Sequence, residues 1–131
     1  MDYRQAFNSL IGGYVAVEGK QPFNIIAITD HHAMVVGTTR ENLIGKALFT
    51  MFPEPTDYPN RVRDALLKLI ETKKEICLDL LRYDIPDFNG QGIITRFWSC
   101  NYVPLVNDGK VTEIIITAID ITEAAKATEL I

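Results

Sequence analysis

Residues 14–18 and 23–29 are β-branched or aromatic in runs too short for long helices, and Gly19-Lys20-Gln21-Pro22 lies between them as a turn. This pattern predicts a first β-hairpin. Ahead of it, Tyr3, Phe7, Leu10 and Ile11 recur at the i, i+4, i+7, i+8 spacing of one helical face, with Asp2 as a cap and Gly12-Gly13 as the stop. After it, Thr29 or Asp30 can cap a short helical segment through Val36, closed by Gly37, and Thr38-Thr39-Arg40-Glu41 forms a capping box before Leu43-Ile44-Gly45. Phe49 to Phe52 is apolar, and Pro53 and Pro55 end whatever helix it forms. Val62, Ala65, Leu66, Leu69 and Ile70 then mark one face of a longer amphipathic helix, which runs out at Lys73-Lys74, where cations suit the helix dipole.

Three strand-like runs follow, 75–85, 93–105 and 110–121, punctuated by Asn89-Gly90 and Asp108-Gly109, the strongest short hairpin signals. A proline deep in a central strand would forfeit a ladder hydrogen bond, so Pro104 is expected at a strand end or in a bulge. From Thr122 the composition turns to Glu, Ala, Lys and Leu, a helix-forming tail. The order of elements predicts an α+β fold: a five-stranded antiparallel sheet, helices grouped on one face, and an N-terminal amphipathic helix.

In the last run the odd positions hold Val111, Glu113, Ile115, Thr117 and Ile119, and the even ones Thr112, Ile114, Ile116 and Ala118. Both faces are apolar in the middle, so something should cover each of them. In the middle run one face carries Phe97, Ser99, Asn101 and Val103, and the other Arg96, Trp98, Cys100 and Tyr102.

Composition narrows the functional classes. A chain of 131 residues, 47% apolar, supports one self-sufficient core. With 13 Lys and Arg against 17 Asp and Glu, it lacks the basic excess that phosphate neutralisation needs, which argues against a nucleic-acid partner. No stretch approaches the roughly 20 apolar residues of a membrane span, and no secretion signal is present, so a cytoplasmic location is expected. Cys77 and Cys100 form no CxxC motif and read as two buried reduced thiols. His31 and His32 are adjacent, hence about 100° apart on a helix, with no third ligand beside them; no metal site is expected. No nucleophile motif, phosphate loop or metalloprotease motif occurs, and Asp79, Asp84 and Asp87 have no partner marking an acid–base pair, so the chain reads as a non-enzyme.

Several local motifs, in this order, resemble the PAS domain family of sensory modules. They are Gly37-Thr38-Thr39-Arg40-Glu41-Asn42-Leu43-Ile44-Gly45-Lys46, the 49–53 segment, Arg82-Tyr83-Asp84-Ile85-Pro86, Arg96-Phe97-Trp98-Ser99 ahead of Pro104, the Asn107-Asp108-Gly109-Lys110 turn, and Asp120-Ile121-Thr122-Glu123. The resemblance spans residues 14–123. It implies strand order 2-1-5-4-3, a core at 14–121 between a cap helix at 1–13 and the start of an output linker at 122–131, and a pocket between the sheet and the short helices. Pocket residues would be Phe97, Ser99, Asn101, Ile114, Ile116 and Ala118. Phe7, Trp98, Ile115 and Ile119 would cover or join an outer interface, as in a homodimer. Asp120, Ile121 and Thr122 would couple the pocket to a C-terminal output domain such as a histidine kinase or cyclase, in a two-component or related signal-transduction system. Haem-binding members carry their axial histidine on the long helix, and residues 60–74 hold none. Flavin-binding light sensors carry an Asn-Cys-Arg stretch after the short helices, where this chain has Leu48-Phe49-Thr50-Met51. The expected ligand is therefore neither haem nor flavin but an unidentified small molecule. Two other readings stand beside the sensor: a small α+β enzyme doing acid–base chemistry in the same cavity, and a ligand-free dimerisation spacer.

Overall fold

The computed structural model describes residues 13–58, 61–90 and 92–128. The expected cap helix, with Phe7, lies outside them. The hairpin is β1 (Tyr14–Glu18) and β2 (Ile25–Ile28). Next come α1 (Asp30–Val35), a 3-10 turn (Arg40–Asn42), α2 (Leu48–Met51) and α3 (Val62–Thr72). Strands β3 (Ile76–Arg82), β4 (Ile85–Pro86), β5 (Ile93–Ile94), β6 (Phe97–Asn107) and β7 (Lys110–Asp120) follow, and α4 (Thr122–Ala127) ends the described chain.

Five strands form one antiparallel sheet in the order β2-β1-β7-β6-β3, while β4 and β5 pair separately. Counting only the five long strands, this is the expected 2-1-5-4-3. The 75–85 and 93–105 runs thus divide, the first giving up Ile85 and the second Ile93 and Ile94 to a small side ribbon around the Asn89-Gly90 turn. Pro104 sits inside β6, opposite Ile114, rather than in a bulge. It lies past Tyr102, the last β6 residue paired with β3, where β6 has one neighbouring strand and a missing N–H is tolerated.

Helix α3 buries the face its period predicts, Val62, Ala65, Leu66 and Leu69, against the sheet. Leu66, Leu69, Phe23, Ile25, Ile28 and Ile114 are among the fully buried side chains at the centre of the core. The N-terminus of α1 is capped as expected, Thr29 Oγ1 accepting a 3.3 Å hydrogen bond from His32 N. That phase turns His32, Ala33 and Val36 inward and leaves His31 and Met34 in solvent.

Candidate functional site

Between the sheet and the short helices lies a cavity of about 90 Å³. From the helices it is walled by His32, Val36, Leu48, Phe49 and Phe52, and from the sheet by Val15, Trp98, Cys100, Tyr102, Ile116 and Ala118. Ile116 and Ala118 are where the sequence placed them. Ile114 shares their face but packs into the core beside the cavity, completely buried.

Strand β6 has the opposite face inward from the one expected. Trp98, Cys100 and Tyr102 line the cavity, while Ser99, Asn101 and Val103 pair with Ile119, Thr117 and Ile115 on the outer side, the side to which Phe97 also belongs. The reason is one residue at the hairpin. Counting back from the Asn107–Lys110 pair in a flush ladder sets Ser99 opposite Ala118 and Asn101 opposite Ile116. The observed register shifts after Val106–Val111, so that Leu105 meets Glu113 and Thr112 is left as a bulge. Directly opposed residues share a face, so a slip of one exchanges the faces of β6. The bulge is pinned from three sides: Asn107 Nδ2 donates to Thr112 Oγ1 (2.8 Å), that hydroxyl donates to Leu105 O (3.2 Å), and Gly19 N donates to Thr112 O (3.0 Å).

Trp98 is consequently an interior residue and not part of an outer interface. It is 5% exposed, its indole Nε1 donates to Tyr83 O at 2.9 Å, and its ring meets the His32 ring edge-on at 5.9 Å. Ile119 does lie outside and is 64% exposed, with Ile115 half-buried on the same face. The cysteines also separate: Cys100 is buried in the cavity wall, but Cys77, opposite Asn101, is exposed on the outer face with its thiol 3.0 Å from Asn101 Oδ1. The expectation of two buried thiols holds for Cys100 alone. On opposite faces of the sheet they cannot pair with each other.

Polar groups in the cavity are held neutral. Burial, helped by His31, lowers His32 to about 4, and its Nδ1 has no hydrogen-bond partner among the described residues. That nitrogen is lodged against backbone: a Cβ added at Gly13 would come within 2.8 Å of it and 2.2 Å of Ala118 O, so only glycine fits there. Burial pushes the Cys100 thiol up to about 11 and raises Tyr83 and Tyr102. Tyr83 spends its hydroxyl on Phe52 O at 2.6 Å. An acid–base enzyme would want two groups with opposed, split pKa values in reach of one cavity. Here the described lining holds no carboxylate, and its histidine stays neutral.

At the end of β7 the chain enters α4 through a compact polar junction. Asp120 Oδ1 accepts from Thr122 N (2.9 Å) and from Thr122 Oγ1 (2.6 Å). The buried Thr122 hydroxyl in turn accepts from Phe97 N (3.0 Å), and Ile121 N donates to Phe97 O (2.8 Å). Asp120 Oδ2 lies 3.2 Å from Arg96 Nε, an ion pair without the alignment of a good hydrogen bond. Arg96 is the basic partner of Asp120. It is legible only once Trp98 is known to sit opposite Asp120, which puts Arg96 at the same end of the same face. His32 carries no metal-site pattern; its place in the cavity wall comes from the Thr29 cap, which turns it inward with Val36. His32 and Ala118 also border a groove of about 610 Å³ that contains Arg96 and residues 119–124, so they stand between the cavity and the junction.

A family model described as PAS fold matches residues 23–126. A search of curated proteins finds no match. Among solved structures, an RNA-binding light-oxygen-voltage receptor superposes with a TM-score of 0.72 at 14% identity, over 95% of this chain and 33% of that one. A light-oxygen-voltage domain studied with a flavin analogue gives 0.69 at 12% identity, covering 99% of this chain and 92% of that one. The PAS domain of the fruit-fly ELK potassium channel gives 0.61 at 17%, over 90% and 93%. The chain thus spans a third of the RNA-binding receptor, and identities this low establish the shared fold.

Two expectations shift with these likenesses. An RNA-binding neighbour means that an acidic charge balance does not by itself set nucleic acid aside. Light-oxygen-voltage neighbours likewise mean that the missing Asn-Cys-Arg stretch does not set flavin aside. The present lining nonetheless fits a flavin poorly. Drug-sized ligands occupy roughly 300–1,000 Å³, against about 90 Å³ here, and the described wall is mainly aliphatic and aromatic. No helix among the described residues is long and apolar enough to cross a membrane.

Proposed function

Since the chain belongs to the PAS fold family, we propose that this sensory-type domain is an input module that reads the occupancy of its cavity and relays it through the Asp120-Ile121-Thr122 junction to an output domain beyond the chain. A cytoplasmic, self-associating signalling protein is the setting that goes with this reading. The observation that supports it best is the continuity of β6: Arg96 and Phe97 hold the junction, and the next inward residue, Trp98, is cavity wall. A molecule pressing on Trp98 strains the two residues that fix Asp120 and Thr122. Hydrogen-bonded caps of this kind have a made and a broken state, which is what a switch requires.

The test fills the cavity from the side away from the junction. Leu48→Phe on α2 should change amide exchange at Phe97, Ile121 and Thr122 while leaving the hairpin end at Asn107 and Lys110, which does not line the cavity, unaltered. Unchanged protection at those three amides would sink the relay. Self-association through the outer face rests on Ile119, and Ile119→Glu should shift the sedimentation profile toward monomer; an unshifted dimer counts against that surface.

A further inference from the structure

The cavity's own chemistry limits what can occupy it, an inference that rests on the sensory reading and deepens it. None of the described side chains around it is Asp, Glu, Lys or Arg. A charged ligand would therefore lose hydration and gain no counter-charge. The hydrogen-bonding groups left in the wall are few. Tyr83 is committed to Phe52 O and the Tyr102 hydroxyl is hydrogen-bonded to the Cys100 thiol, which leaves the His32 imidazole and the spare lone pair of Tyr102. A neutral imidazole offers one N–H and one lone pair, and the bonded phenol a lone pair, so together they can satisfy one small polar group. Size is the second limit. About 90 Å³ is of the same order as the roughly 150 Å³ of an engineered apolar cavity that takes up benzene, so a single ring is the most it holds. Trp98, Phe49 and Phe52 offer rings for a flat ligand to pack on.

We propose that the cavity takes a compact, uncharged, mostly apolar molecule no larger than a single six-membered ring, with one hydrogen-bonding substituent met by His32 or Tyr102.

The experiment is a ¹⁹F NMR titration of the 131-residue protein with three probes of one ring size: 4-fluorophenol, fluorobenzene and 4-fluorobenzoate. The neutral phenol should bind saturably and about fivefold more tightly than fluorobenzene, the worth of one net hydrogen bond. The carboxylate should show no saturable binding. His32→Phe or Tyr102→Phe should erase the preference for the phenol over fluorobenzene, and Leu48→Phe should abolish binding of both. Equal binding of phenol and benzoate, or no saturable binding of any probe to the wild-type protein, overturns the proposal. The wild-type comparison keeps the test decisive if a variant fails to fold. The relay is read from the exchange response to Leu48→Phe without any ligand, so the ligand class can fail while the relay stands, and the reverse.

Discussion

Thr122→Val tests how firmly the junction is held. The substitution keeps shape and volume at a site only 3% exposed, and removes one hydroxyl. That hydroxyl donates to the Asp120 carboxylate at 2.6 Å and accepts from Phe97 N at 3.0 Å. A hydrogen bond to a charged acceptor is worth about 1.5–3 kcal/mol, and a buried N–H left without its acceptor costs about 1–3 kcal/mol. Asp120 keeps the Thr122 N–H, and Phe97 is only half-buried, so the two losses do not add in full. A net destabilisation of about 2–4 kcal/mol is expected. Thr122→Ser keeps the hydroxyl and sheds one methyl group, which costs at most about 1 kcal/mol. Urea unfolding followed by the fluorescence of Trp98, the chain's one tryptophan, measures both. The midpoint should fall and the slope stay fixed, since the surface exposed on unfolding is unchanged. A Val variant within about 0.5 kcal/mol of wild type, the ordinary spread of harmless substitutions, would refute the reasoning. So would a Ser variant as damaged as the Val variant.

Three other outcomes are expected. His32 is lowered to about 4 in the fold against 6.5 unfolded, so folding favours its neutral form. Stability is unaffected by it above pH 7, falls as pH drops through 6.5, and levels off near 4. Between pH 7 and pH 5 the wild type should lose about 2 kcal/mol more than His32→Phe in urea titrations, and equal losses would show that His32 is not the group responsible. With an aromatic disulfide reagent at pH 8, Cys77 should react at once and Cys100, buried and pushed up to about 11, only on unfolding; two equally fast thiols would contradict the placement. Lys73 closes α3 with φ 59 and ψ 28, a left-handed cap that suits glycine, so Lys73→Gly should raise the urea midpoint by up to about 1 kcal/mol of stability, and a lowered midpoint would refute the strain argument.

The elements were legible where a local signal decides them. The stripe from Val62 to Leu69 has the helical period and α3 obeys it; Thr29 has a cap's chemistry and caps α1; Asp108-Gly109 turns β6 into β7. Sheet order came from the sequence of elements and the family resemblance, and it too was recovered. The face of β6 was not, because side-chain parity along a strand is local whereas parity relative to a neighbour depends on every residue between them. Thr112 breaks that count, and nothing in Lys110-Val111-Thr112-Glu113 marks it as a bulge until Asn107, Leu105 and Gly19 are seen holding it. The consequence reaches both parts of the candidate site. A flush ladder would set Phe97 opposite Asp120 and aim Trp98 away from the helices. The one-residue offset instead sets Trp98 opposite Asp120, so that its indole closes the cavity while Arg96 comes level with the carboxylate. Cavity wall and junction are therefore products of the same register, and an account of one that ignores Thr112 cannot place the other.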